Sequence, residues 1–401
     1  MQTVFMDINV PRLIATKALG QIWPAAYVSR VSPVRFVTWP DPDLPGPHSV
    51  RVRNRVSLIC GSDLHLLFAE ADPRIAIAAL PSVKRVYLGH EVCGEVIEVG
   101  SSVTAVRPGD RVALQYTVPN CATQSIQPPC PRCADGQFHL CENQARDLGA
   151  SPIGGGWGDQ MVVHERQLYR PPESLSDDEV ALLEPAAVGL HAVLRAMPRP
   201  GQRVLVIGCG VIGLTTLQAL RALAPDAEVT VLARHEFQAT IARGMGASEV
   251  CTGEDGYRIA ARKTGANLYR GGFGCAMLLG GFDAVFDCAG SSRTLTEALR
   301  WVRADGTVIA VGVQYKMYKI DLSPLYFQEV RLIGTWGYGI EDWQGERLDT
   351  FALAARLVEQ KKVSFDRFIT HRFALADWRK AVAAAADKKR HQSIKVALCG
   401  A

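Results

Sequence analysis

Arg203-Val204-Leu205-Val206-Ile207-Gly208-Cys209-Gly210-Val211-Ile212-Gly213 is the stretch on which the fold turns. Its start is a short apolar run, as expected of a strand covered on both faces. The glycines then follow the spacing of a strand-to-helix turn that cradles a dinucleotide pyrophosphate. Gly208 allows the tight turn, Gly210 lets backbone approach the phosphates, and Gly213 permits close helix packing. Val211 and Ile212 complete this cofactor-binding loop as the helix opens, and Cys209 reads as a small packing residue. Downstream, Leu214 to Leu223 is predicted helical and Glu228 to Leu232 a second strand. Asp283 to Asp287 and Thr307 to Val311 look like further parallel strands, with Val313 beyond the last of them a candidate cofactor contact. Strands alternating with helices give an α/β domain built on a doubly wound parallel sheet.

The residue at the end of the second strand selects the cofactor, because a carboxylate there holds the ribose hydroxyls of NAD. This chain has Ala233-Arg234-His235 instead. Repulsion against a 2′-phosphate is removed, and Arg234 supplies a planar cationic donor for it. NADP is therefore expected in preference to NAD.

Upstream the pattern changes. Val50 to Arg53 alternates apolar and polar, Glu91 to Gly100 reads as a strand ending at glycine, and Arg111 to Leu114 follows the turn Pro108-Gly109-Asp110. Many short strands between Gly/Pro turns indicate a small β-barrel. Ser176 with Glu179 marks a helix start. Residues 1 to about 35 carry no motif and read as an arm packed on this domain. The chain from about 340 is read as one long helical segment with two strand-like pieces. Gly265 to Gly281 is longer than a helix-to-strand connection needs, as a flap or an oligomer contact would be.

Three metal-type positions sit in the barrel-like part. Cys60 lies in Cys60-Gly61-Ser62-Asp63-Leu64-His65, His90 and Glu91 in Gly89-His90-Glu91, and Glu184 in Leu183-Glu184-Pro185. A thiolate, an imidazole and a carboxylate form a ligand set suited to a catalytic zinc with an open position. Zinc would lower the pKa of a bound alcohol, and the alkoxide could release hydride to a nicotinamide ring. Ser62 could take the alcohol proton and His65 pass it to solvent. A second cluster, Cys130-Pro131-Arg132-Cys133 with Cys141, suits a structural zinc. Its fourth ligand would be Cys121, across Ala122 to Pro129, or His139. Cys93, Cys251, Cys275, Cys288 and Cys399 read as buried small apolar residues, and His191 as a packed or hydrogen-bonded histidine.

The 401 residues exceed the usual size of one domain, and 44 basic against 40 acidic side chains leave a net charge of only +4. That balance gives no electrostatic case for nucleic acid, and Lys388-Lys389-Arg390-His391 is a solvated face. No apolar run reaches the ~20 residues that cross a bilayer. Met1 to Pro11 lack a charged-then-apolar leader pattern, so a cytoplasmic protein is expected. Eleven cysteines in so long a chain point to reduced thiols and metal rather than disulfides.

From about Val34 to Lys395 these motifs resemble, in order and kind, the zinc-dependent medium-chain dehydrogenase/reductase family. The resemblance implies a GroES-like β-barrel catalytic domain over 1–192, completed by 340–401, and a Rossmann domain over 193–339, with the catalytic cleft between them. Cys60 and His90 match the first two zinc ligands, and Glu91 the adjacent acid that ligates directly or swings in during turnover. Glu184 looks like the third protein position of the sorbitol, glucose and threonine dehydrogenase branch. The substrate so implied is a secondary alcohol or ketone, among polyols, sugars and hydroxy-amino compounds, and the assembly a homodimer or homotetramer joined through Rossmann sheet edges. Two departures stand out. Gln127 occupies the place of the first structural-zinc cysteine, and Gly337 precedes Tyr338 where sorbitol dehydrogenases have a polyol-holding arginine. The rival readings are a zinc-free quinone or enone reductase of the same superfamily, which lacks the Cys60, His90 and Glu184 set, and a non-catalytic cofactor-binding structural protein, which has a damaged relay.

Overall fold

Arg203–Ile207 lies third in a six-stranded parallel sheet in the computed structural model, which describes residues 1–72, 74–75, 83–144, 153–272, 276–313 and 315–400. The strand order is Glu249–Thr252, Glu228–Ala233, Arg203–Ile207, Phe282–Asp287, Val302–Ala310, Arg331–Gly334. The order therefore reverses between Arg203–Ile207 and Phe282–Asp287, the switch point at which such sheets bind ligands beyond their carboxyl ends. Val204, Val206, Val285 and Val308 are completely buried, as helix-covered parallel strands require. On one side of the sheet the core gathers Leu205, Ile207, Val285, Leu295, Leu299 and Trp301. The inserted stretch after Gly265 contains a hairpin, Asn267–Arg270 paired with Ala276–Leu279. Cys275 falls outside the described residues.

The described residues divide into two units, one of 1–184, 344–355 and 365–401 and the other of 185–343 and 356–364. The first is built on a seven-stranded, mostly antiparallel sheet. Its path runs Ile369–Ala374, Lys395–Cys399, Ser49–Leu58, Glu91–Val99, Arg111–Leu114, Leu168–Tyr169, with Gln160–His164 also paired to Ser49–Leu58. Val50, Val52, Val92, Val96, Val112 and Met161 fill its interior. Inward side chains alternate along each strand, and burying each stabilises by roughly 1.5–3 kcal/mol.

Two regions hold more structure than their sequence announces. Residues 1 to 35 form the strand Gln2–Asp7, central in a sheet with Val34–Thr38 and Arg85–Tyr87, and the helix Val10–Gly20. That helix is apolar around most of its circumference, so no amphipathic stripe reveals it. After 340 there are two hairpin strands, Ile340–Trp343 and Glu346–Asp349, and two longer helices, Thr350–Glu359 and Trp378–Ala386, in place of one helical segment. Residues 360–377, with Arg367 at φ +66° and the strand Ile369–Ala374, separate those helices.

Candidate active site and metal centres

Strand pairing brings the first metal-type residues together. Ser49–Leu58 and Glu91–Val99 run antiparallel with Leu58 opposite Glu91, so Cys60, just past one strand, comes beside His90, just before the other. Cys60, His90 and Glu91 each offer one ligand atom, and those atoms lie within 4.8 Å of one another. Glu91 is completely buried, and its Oε2 has no hydrogen-bond partner. An orphaned buried carboxylate oxygen beside a thiol and an imidazole fits a metal cation, and this donor set fits zinc. Glu184 lies outside that 4.8 Å group. It is buried in the helix Asp177–Arg195, where burial raises its carboxyl to about 7, Glu91 adds to the rise, and His90 and Lys395 oppose it.

The helix Gly61–Leu67 starts at Cys60 and carries Ser62 and His65 one turn apart on one face. Ser62 Oγ lies 3.5 Å from His90 Nε2. The His65 Nδ1 contacts Glu70 Oε2 at 2.6 Å, which makes Nε2 the basic nitrogen of that ring. Buried Asp63 accepts the N–H groups of Cys60 and Gly89, each at 3.0 Å, and lies 3.6 Å from His90 Nδ1. Burial works against its charge, but the His90 ring and the two backbone donors prevail and hold it below the usual carboxylate range. It thereby fixes the backbone at Cys60 and at Gly89, beside His90, and faces His90 Nδ1, so that Nε2 points away from it.

Sequence reasoning passed over three residues here: Asp63, Glu70 and Lys395. Asp63 had a local signal, since an acid three residues into a helix is half of a capping box. Glu70 follows His65 by five residues and approaches it only after the helix ends at Leu67. Lys395 is 304 residues from its partner Glu91.

Cys121, Cys130, Cys133 and Cys141 form the second group, all buried, with ligand atoms within 4.8 Å of one another. The loop thus carries Cys121 across the Gln127 position to the other three sulfurs. N–H groups point at these sulfurs: Cys130 N to Cys121 at 3.4 Å, Cys133 N to Cys130 at 3.5 Å, and Asn143 N to Cys141 at 3.3 Å. Such donors stabilise thiolates. At Cys130 burial opposes ionisation, but the Cys133 and Glu142 N–H groups outweigh it and lower the thiol to about 7, whereas at Cys133 and Cys141 burial prevails and raises the thiol.

In the dinucleotide loop Gly208 has φ +95°, a conformation that favours glycine. A Cβ on Gly213 would lie 1.8 Å from the Gly208 carbonyl oxygen, whereas one on Gly210 would meet nothing within 4 Å. The helix Val211–Leu223 has no side-chain cap and no acid in its first turn, which leaves its N–H groups for an anion. Ala233 ends its strand, and Arg234 is exposed with no ion pair among the described residues. His235 precedes the helix Glu236–Gly244 and stacks on Phe237 at 5.6 Å. Val313 is exposed beyond Val302–Ala310.

Cys209 is buried, and burial alone pushes its thiol up to about 12, as suits a packing residue. Cys93 and Cys251 are buried too, but Cys288 and Cys399 are only partly so. Buried His191 pairs through Nδ1 with Glu341. Among the described residues no helix is long and apolar enough to cross a membrane.

Residues 46–173 match the model of the alcohol dehydrogenase GroES-like domain, and residues 211–352 that of the zinc-binding dehydrogenase. The chain is 29% identical to L-idonate 5-dehydrogenase of Vitis vinifera over 92% of each chain. It is 32% identical to L-arabinitol 4-dehydrogenase of Aspergillus oryzae over 86% of this chain and 84% of that one. A zinc-binding dehydrogenase of Sinorhizobium meliloti 1021, solved bound to NADP, superposes with a TM-score of 0.67 at 28% identity, covering 91% of this chain and 95% of its own. Both halves of the fold and the order of their motifs agree with these matches: the chain belongs to the zinc-dependent medium-chain dehydrogenases, in the branch that includes the sorbitol dehydrogenases.

Proposed function

We propose that this protein transfers hydride between NADP(H), in preference to NAD(H), and a secondary alcohol or its ketone, with a polyol, sugar or hydroxy-amino compound as substrate. The observation that carries the reading is the meeting of Cys60, His90 and Glu91 ligand atoms within 4.8 Å, next to the helix that bears Ser62 and His65. Zinc held by Cys60, His90 and Glu91, with Glu184 the remaining candidate ligand, would supply a Lewis acid that acidifies an alcohol and polarises a carbonyl. Ser62 Oγ takes the alcohol proton during oxidation, and His65 hands it to solvent with its ring fixed by Glu70. Relatives that act on L-idonate and L-arabinitol support a polyhydroxylated substrate. Gly337, in place of the arginine of sorbitol dehydrogenases, argues for a polyol other than sorbitol.

Unpaired Arg234 supports NADP, and the relative solved with NADP is consistent with it. The four buried thiols support a structural zinc, and free thiols throughout the described residues favour the reducing cytoplasm. Elemental analysis tests the scheme. Near two zincs per chain, falling to near one in Cys60→Ser, are expected, with NADP-linked turnover of a polyol panel lost in the variant. One zinc that survives Cys60→Ser would leave only the cysteine loop as a metal site and remove the zinc mechanism in favour of a zinc-free reductase.

A further inference from the structure

Lys395 opens the last strand, Lys395–Cys399, and its side chain is 1% exposed. Its Nζ donates to Glu91 Oε1 at 2.5 Å and to the carbonyl of Ile59 at 3.2 Å. Ile59 immediately precedes Cys60, and Glu91 immediately follows His90. One ammonium therefore ties together the chain on the near side of the first ligand and on the far side of the second. An ammonium this deeply buried persists only when paired and hydrogen-bonded. Its partner carboxylate is equally buried and divided in use: Oε1 is spent on Lys395, while Oε2 has no partner.

We infer that Lys395 is a positioning residue for the metal site, acting through Glu91. By holding Oε1 it leaves Oε2 as the single oxygen that can ligate, so the carboxylate occupies one coordination position and another stays open for substrate. Its charge also offsets one of the two negative charges that Cys60 and Glu91 bring to zinc, which preserves Lewis acidity. The inference rests on the zinc reading above and extends it to a residue from the far end of the chain.

The test uses full-length protein with cobalt(II) at the Cys60 position and the cysteine loop left loaded with zinc. In Lys395→Met the freed carboxylate can chelate through both oxygens. Coordination number then rises, the visible d–d bands lose intensity, and KM for the alcohol rises without a matching rise for the cofactor. Lys395→Arg, which keeps the cation, retains the wild-type bands. In Glu91→Gln the further change Lys395→Met has no effect on the bands, and this double variant buries no unpaired charge. If Lys395→Met does not fold, Lys395→Gln, uncharged and too short to reach Oε1, carries the same expectation. Wild-type bands in a folded Lys395→Met or Lys395→Gln protein would overturn the inference. So would an equal spectral change in the Glu91→Gln background, since Lys395 would then act by another route. A wild-type protein that takes up no cobalt at Cys60 would overturn the zinc reading itself, and this inference with it.

Discussion

In the proposed scheme Arg234 alone sets the cofactor preference. It is exposed, follows Ala233 at the strand end, and has no ion pair among the described residues, so its guanidinium is available to a 2′-phosphate. A charge-assisted hydrogen bond of this kind contributes about 1.5–3 kcal/mol. Arg234→Ala should then raise KM for NADP roughly ten- to a hundredfold and leave KM for NAD nearly unchanged; steady-state kinetics with both cofactors would refute the assignment by showing equal losses. Ser62 is a second such residue. Removing its hydroxyl should lower kcat by about 10²–10⁴ while zinc content stays at the wild-type level. A Ser62→Ala enzyme with normal kcat would exclude it as the proton acceptor. Both roles could be proposed from the sequence because their signals are local: a fixed offset from a glycine loop, a fixed offset from a cysteine. Glu70 and Lys395 were not, because each gains its role from a partner that only the folded backbone brings near. Lys395 reads in the sequence as one more lysine in a strand, and nothing around it signals that it ends up buried against Glu91.

At the scale of an element, the glycine loop separates two demands that sequence spacing states together. Gly213 serves the fold, since a Cβ there would meet the Gly208 carbonyl at 1.8 Å. Gly210 is under no such demand, since a Cβ there would meet nothing within 4 Å, and its proposed role is to let the dinucleotide approach. Gly213→Ala should therefore lower thermal stability, by about 1–3 kcal/mol as overpacking typically does. Gly210→Ala should melt like the wild type and bind the dinucleotide more weakly, because the methyl occupies the face that the pyrophosphate approaches. Calorimetry and cofactor titration on the pair would discredit this division if Gly210→Ala lost stability but bound normally. The strands and helices of this sheet were legible because each is long, apolar and bounded by turn residues. The N-terminal helix was not: Leu13, Thr16 and Gly20 face inward while Val10, Ile14 and Leu19 remain outside, so apolar residues mark no single face. The helices after 340 merged in reading because their connection, residues 360–377, holds no glycine or proline to mark where one ends and the next begins.

At the scale of the whole molecule, the chain's return to its first unit through Ile369–Ala374 and Lys395–Cys399 could be inferred only from resemblance, because parallel and antiparallel pairings between distant segments leave no mark in either segment alone. The same holds for subunit association, where the structure offers a physical reason of its own. Arg331–Gly334 ends the six-stranded sheet, and close to it in sequence Tyr326 and Phe327 are 67% and 81% exposed, with Trp336 at 44%. An open sheet edge flanked by exposed aromatic rings is a surface that proteins normally cover, and a second copy of the same edge is a self-complementary cover. Pairing about a two-fold axis would satisfy the edge N–H and C=O groups and bury the rings together. Sedimentation velocity should accordingly give a homodimer or homotetramer. The double substitution Tyr326→Glu/Phe327→Glu places like charges at the centre of such a contact and should yield monomers that keep the native circular dichroism spectrum. A variant that sediments at the wild-type mass would show that the subunits associate elsewhere and that these rings face solvent in the assembly.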